Sequence, residues 1–385
     1  MTGLVPAPGV FFTGIALFLV VLWDAFEAII LPRRVTRKFR LTRFYYQFTW
    51  ATWKIYASLI PSKKRRESFL GFYGPISLLF LIGVWAFGLI LSFAMMQYGA
   101  GSALNVSGKT PSYLTDLYLS GTTFFTLGLG DVVPRSGLSR FLVVVESGFG
   151  FGFLAAVIGY LPFIYGAFSE RETDIVLLDA RAGTPPTAGE LLLRHSYPNG
   201  HEALRDLFKE WERWSAQLLE SHLSYPVLAY FRSQHDNQSW ISALTAIMDA
   251  CALTMSGIED SCARQAQLTF AIARHAVVDM CQIFSATPRP PEEDRLPPEK
   301  LKLIRETLAH HDMKLASGPE ADRKLTELRK LYEPYVYALA ARFNQTLPPW
   351  VPAKPSKDNW LKTAWGKRAP GADVETASLL HEDHF

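Results

Sequence analysis

Three apolar runs, at residues 10–31, 70–96 and 141–168, decide what this chain can fold into. Each has the length, about 20 residues or more, that an α-helix needs to cross a bilayer. In hydrocarbon every backbone N–H and C=O must be satisfied internally, so such runs become helices. The rest of the 385-residue chain has ordinary soluble composition, and the length leaves room for more than one domain. Charged residues make up 19% of the whole, below the roughly 25% of an average soluble domain, and the deficit lies in the apolar runs. The N-terminus lacks the basic stretch of a signal peptide, and its apolar run is long enough to span and stay.

The loops set the orientation. Between the first two runs lie Arg33, Arg34, Arg37, Lys38, Arg40, Arg43, Lys54, Lys63, Lys64, Arg65 and Arg66, with Glu67 the one acid among them. The loop at 99–112 carries one base, Lys109. By the positive-inside rule the basic loop faces the cytoplasm, the N-terminus faces out, and everything after residue 168 is cytoplasmic. The expected location is the plasma (inner) membrane.

Residues 113–134 are apolar but interrupted by glycines, and too short for another crossing. A re-entrant loop fits there; irregular backbone is tolerated at that depth only where protein or a water-filled cavity satisfies it. Ser112 is a good N-cap for a short helix ending near Phe125. The partly negative C-terminal end of that helix would point to the membrane interior and favour a cation. Next come Thr126, Leu127, Gly128, Leu129, Gly130 and Asp131. To replace the water around a cation, a backbone must turn successive carbonyls toward one axis. Glycine at alternate positions accepts dihedrals that an L-residue resists, and the Thr126 hydroxyl would add an innermost oxygen ring. One chain supplies one strand of such a site and a ring needs about four, so a homotetramer is expected.

Over residues 71–168 the sequence resembles the potassium-channel pore family. The motif that carries the resemblance is Thr122-Thr123-Phe124-Phe125-Thr126-Leu127-Gly128-Leu129-Gly130-Asp131, with Pro134 beyond it. The pattern is similar to a prokaryotic two-transmembrane-type ion channel with one extra N-terminal transmembrane helix. The resemblance implies outer helix, pore helix, filter and inner helix, with K+ as the permeant ion and no organic cofactor. It places Thr126, Leu127, Gly128, Leu129 and Gly130 along the ion sites, and Asp131 at the outer mouth, braced against the pore helix. Leu127 stands where the family usually has valine or isoleucine, and Leu129 where it usually has tyrosine or phenylalanine. Leucine keeps part of the aromatic volume and loses any hydroxyl bond, so the resemblance speaks to architecture first and selectivity second.

In the third run Gly148, Gly150 and Gly152 alternate with Phe149, Phe151 and Phe153. Glycines in a membrane helix permit either bending or close packing, and Pro162 removes a helical hydrogen bond. The expected gate has Gly150 and Pro162 as hinge, with Tyr160, Leu161 or Phe163 narrowing the pore. Glu146 is costly in an apolar run and is expected behind the filter, bonded to the pore helix. Thr122 and Thr123 complete the filter support.

The first run carries Asp24 and Glu27, one turn apart on one face. Glu27 would lie roughly 9 Å along the axis from Arg33, close enough for pairing at the helix end. Residues 40–61 combine bases with interfacial aromatics; Leu41, Phe44, Phe48, Ile55 and Leu59 fall near one helical stripe. That pattern fits a helix lying on the inner leaflet and attracted by anionic lipid, or a hairpin packed on the soluble part. Nucleic-acid binding is not called for, because topology accounts for the bases.

The expected fold is an all-α membrane protein: a transmembrane helix at 1–32, a basic linker helix at 33–69, the pore domain at 70–168, a helical cytoplasmic domain at 169–347, and a loose proline-bearing tail at 348–385. Candidate cytoplasmic helices span 190–194, 201–223, 239–255, 263–284, 298–316 and 321–343. No glycine motif of a nucleotide-binding domain appears. The three cysteines, Cys251, Cys262 and Cys281, form no CxxC pair and suit a reducing compartment. His310, His311, His235, Asp236 and Asp249 match no metal spacing, and Trp211, Trp214, Trp240, Tyr225 and Tyr230 read as packing. No nucleophile–base set points to an enzyme. The regulatory domain or assembly module has no identified ligand, and the competing reading of the whole is a membrane-anchored signalling scaffold with a non-conducting, pore-like domain.

Overall fold

The computed structural model describes residues 6–31, 40–106, 111–233, 238–258, 262–291, 293–311 and 313–352. Arg33, Arg34, Arg37, Lys38, Lys109, His235, Asp236 and the tail beyond residue 352 lie outside the described residues. The chain divides into two compact units, Met1–Gly166 and Ala167–Phe385.

The first unit begins with α1 (Pro8–Ile29), whose proline sits at the helix start where its missing N–H costs nothing. The basic linker folds as two helices rather than one, α2 (Leu41–Ser58) and α3 (Lys63–Gly71). They break at Pro61, whose ring disfavours helix for the residue before it. Next come α4 (Tyr73–Gly99), the short α5 (Tyr113–Phe124), and α6 (Gly137–Ala182), which starts in this unit and ends in the next. Strands β1 (Leu104–Val106) and β2 (Val132–Pro134) pair antiparallel, Asn105 opposite Val133, and clamp the two ends of the α5 loop together.

The extra helix α1 is part of this unit's core. Gly14 and Gly99 let α1 and α4 meet backbone to backbone: a methyl on Gly99 would stand 2.4 Å from the Phe11 nitrogen. Such small-residue contacts replace the hydrophobic drive that is missing between helices in lipid. Phe18 of α1 lies edge-on to Phe93 of α4 and to Phe149 of α6, at 5.3 and 4.9 Å between ring centres. Phe93, Met96 and Leu142 are the buried centre of that cluster.

The second unit is a helical domain: the end of α6, then α7 (Ala188–Leu193), α8 (Gly200–Ser224), a 3-10 turn at Pro226–Tyr230, α9 (Trp240–Gly257), α10 (Ala263–Ile283), α11 (Pro298–Ala309), α12 (Pro319–Lys330) and α13 (Glu333–Phe343). Four described helices, α1, α3–α4, α6 and α9, are long and apolar enough to cross a membrane by length and composition. For α9 the apolarity has another cause. It is the core of the second unit, wrapped by α7, α8, α10, α12 and α13, and almost every residue along it is buried.

Three helix boundaries differ from the sequence reading. The third apolar helix continues past residue 168 to Ala182. Pro162 lacks one hydrogen bond but does not end it; the stop comes at Gly183, in the left-handed conformation typical of a helix end. The 298–316 helix ends at Ala309. The 321–343 helix is two helices, α12 and α13, parted ahead of Pro334, which cannot continue a helical ladder.

Buried charges in the second unit are paired. Arg295 holds both carboxylate oxygens of Asp249 at 2.9 Å and also reaches Glu333 and the Pro348 carbonyl. Trp350 lies under both Arg295 and Arg329. Arg171 of α6 donates to the carbonyls of Leu228 and Phe231, to Glu172, and stands 3.4 Å from His222 Nε2. Burial, reinforced by that guanidinium, pushes the His222 imidazole down to about 3, so it is neutral at physiological pH.

Candidate functional site

The loop after α5 is set up by its own helix. Ser112 precedes α5 in extended conformation, and the Thr115 hydroxyl accepts the Ser112 N–H at 3.2 Å, half of a capping box. At the other end the last carbonyls of α5 are consumed by the residues that follow. Phe125 N–H bonds to Gly121 O, Thr126 N–H to Thr123 O, and Leu127 N–H to Thr122 O at 2.8 Å. Thr122 and Thr123 therefore hold the loop through their carbonyls.

From that anchor, every second residue takes a left-handed backbone: Thr126 at φ +56°, Gly128 at +58° and Gly130 at +78°. Two of the three are glycines, which adopt this conformation freely. Thr126 is β-branched, and holding it there costs on the order of 1–3 kcal/mol, a strain of the kind that persists at functional sites. This alternation is what a backbone needs to turn successive carbonyls to one side. The intervening Leu127 and Leu129 are 61% and 63% exposed on the single chain.

The exit from the loop is braced. Tyr118 OH of α5 donates to Asp131 Oδ2 at 3.0 Å. Arg135 N–H bonds to Ala103 O, its guanidinium reaches Asn105 at 2.6 Å, and Arg140 donates to the Pro134 carbonyl. Behind α5 the buried Asp116 accepts from Ser102.

Glu146 is completely buried on α6. The Ser120 hydroxyl of α5 lies between Glu146 Oε1 and the Ile90 carbonyl of α4, so three helices meet at one polar point directly behind the loop. Gly150, one turn further, is a contact glycine: a methyl there would sit 2.1 Å from the Phe124 carbonyl oxygen. Of the two roles open to it in the sequence, this geometry displays packing. Of the residues expected at the gate, Tyr160 is buried, while Pro162 and Phe163 are exposed. Phe151, Leu154, Ile158 and Tyr165 extend an exposed stripe along the same helix.

Asp24 and Glu27 are both buried. Asp24 accepts from the Thr42 N–H and hydroxyl and from the Trp85 indole at 2.9 Å, so it caps α2 from another helix. Glu27 accepts from Trp23 at 2.6 Å and lies 3.3 Å from Arg40. Sequence reasoning missed the partners Tyr118, Ser120, Thr42 and Trp85. Ser120 falls one turn after Asp116, so the two polar residues share one face of α5; Thr42 and Trp85 carry no such signal. Among the described residues no group of three His, Cys, Asp or Glu side chains could hold a metal ion. Asp249 is a core residue, and His310 and His311 are exposed at the end of α11.

Comparison with known proteins matches residues 76–162, from α4 through the loop into α6, to the ion channel family. A Bacillus subtilis (strain 168) protein described as uncharacterized membrane protein YdjJ is 25% identical over 238 residues, covering 58% of this chain and 67% of that protein. No solved structure matches. Several of this chain's helices are long and apolar enough to cross a membrane, and residues 76–162, the loop with its two flanking helices, match the model of the ion channel family.

Proposed function

We propose that the chain is one subunit of a homotetrameric, potassium-type cation channel that conducts passively through Thr126, Leu127, Gly128, Leu129 and Gly130. The alternating left-handed backbone at Thr126, Gly128 and Gly130 carries the reading. Four copies around an axis would present four such strands, enough oxygens to replace a cation's hydration shell. Tyr118 and Asp131 brace the outer mouth; Ser120 and Glu146 brace the rear. The inner helix bends at Pro162, where a helical N–H is missing, with Phe163 beside it, while Gly150 fixes α6 against the filter's pore helix. The helical domain after residue 166 assembles or regulates the pore. By its basic loop the channel sits in the plasma membrane with that domain in the cytoplasm.

The test is ion flux in reconstituted vesicles, with potassium and sodium measured side by side. The expected result is potassium flux that Gly128→Ala sharply reduces, since a Cβ at φ +58° costs roughly 1–2 kcal/mol in the backbone conformation that turns the carbonyls. Intact tetramers that pass no ion at any voltage, pH or lipid composition would refute the channel. Equal sodium and potassium permeability would keep the channel and remove the potassium assignment.

A further inference from the structure

The helix α2 carries an exposed apolar stripe. Phe44, Phe48, Ile55 and Leu59 are 54–74% exposed. At 100° per residue they fall within about 60° of one another around the helix. The opposite side of α2 is fixed in place. Tyr46, Trp50 and Ala57 are buried, Tyr45 OH bonds to the Ser77 carbonyl at 2.8 Å, and the Trp53 ring stacks on Phe69 at 4.5 Å. With Asp24 capping its first turn, α2 cannot roll to hide the stripe.

The attachment points say where that stripe lies. Asp24 is in the last turns of α1, and Ser77 is in the first turns of α4. These are the ends of two membrane-spanning helices, so α2 sits at the level where hydrocarbon gives way to headgroups. An apolar stripe locked outward at that level faces acyl chains. Directly after it, Lys63, Lys64 and Arg65 are all exposed in the first turn of α3. They sit at a helix start, where the macrodipole disfavours cations, so helix stability does not account for them.

We propose that α2 and the start of α3 form a docking surface for the anionic lipid of that leaflet. Phe44, Phe48, Ile55 and Leu59 lie among the acyl chains, and Lys63, Lys64 and Arg65 hold phosphate-bearing headgroups. The inference rests only on α1 and α4 spanning the membrane; it stands or falls independently of ion selectivity.

The test uses the full chain in phosphatidylcholine vesicles with and without phosphatidylglycerol. Nitroxide labels are placed at Phe48→Cys and Ile55→Cys; the three native cysteines are buried, and labelled wild type gives the background. Power saturation is measured against oxygen and against a water-soluble nickel chelate. Labels accessible to oxygen and shielded from nickel are expected. Labels open to nickel would put the stripe in water, and labels shielded from both would put it under protein, such as a second copy; either overturns the proposal. In parallel, phosphatidylglycerol retained on gentle extraction from mixed vesicles is compared between wild type and the triple variant Lys63→Gln, Lys64→Gln, Arg65→Gln. Each base near an anionic surface is worth about fivefold, so enrichment is expected to fall by up to roughly 100-fold and to be salt-sensitive in wild type. Equal enrichment in both proteins would overturn the headgroup assignment.

Discussion

Replacing Gly150 by alanine separates packing from bending in the inner helix. Three glycines, at 148, 150 and 152, lie within five residues of α6. Alanine in the interior of a helix is favoured over glycine by roughly 0.8–1 kcal/mol. At Gly148 and Gly152 an added methyl meets nothing within 4 Å on its own chain, so that gain is realised. At Gly150 the methyl would stand 2.1 Å from the Phe124 carbonyl oxygen, 2.9 Å from its carbon and 3.0 Å from its Cα. All three atoms are backbone, so no side chain can swing aside; α5 and α6 must part by about 1 Å. Overpacking of this kind costs about 1–3 kcal/mol or more, and here it also moves Phe124, the last residue of α5, two before Thr126. The propensity gain is common to both sites, so Gly150→Ala is expected about 1–3 kcal/mol less stable than Gly148→Ala. That corresponds to a Tm lower by roughly 2–12 °C when detergent-solubilised protein is heated and followed by tryptophan fluorescence. A Gly150→Ala protein as heat-stable as Gly148→Ala, with altered opening alone, would refute the packing argument and restore the glycine to a hinge.

Three further perturbations test other joints. Asp24→Leu leaves the Trp85 indole and the Thr42 N–H without their acceptor and is expected to cost about 2–4 kcal/mol, whereas Asp24→Asn, which keeps an acceptor, costs less; thermal stability in detergent ranks them. Arg295→Met strands the buried Asp249 carboxylate, while Glu333 keeps Arg329, at a cost of about 3–5 kcal/mol, read as faster limited proteolysis of the second unit. For His222 the folded imidazole titrates near 3 and the unfolded one near 6.5, so the unfolded state binds the extra proton between those values. Stability is thus full above about pH 6.5 and falls by at most about 1.4 kcal/mol per pH unit as pH drops toward 3. His195, lowered by burial, adds in the same direction. Thermal unfolding of wild type and His222→Gln at pH 7 and pH 5 checks this, and the variant should show the shallower slope.

The membrane helices were legible in the sequence because hydrocarbon leaves an apolar run only one way to satisfy its backbone. The α5 start and the turning of the loop after it were legible for a similarly local reason: an N-cap serine and alternating glycines encode backbone geometry within a few residues. The Glu146 position was marked as costly by its surroundings alone. What remained hidden was long-range. Nothing near Asp24 shows that Trp85, 61 residues away, would meet it. Nothing near Gly150 distinguishes it from Gly148, because the carbonyl that makes it a contact glycine belongs to another helix. The apolar pattern of α9 reads the same for a lipid-facing helix as for a core helix; only the helices packed around it decided between the two. Sequence by itself determined which apolar segments are helical and where glycines permit a left-handed backbone, since these are set by side chain and solvent. Tertiary structure alone decided which buried polar group meets which, and which glycine bears a neighbour's backbone, because those depend on how separate helices are brought together.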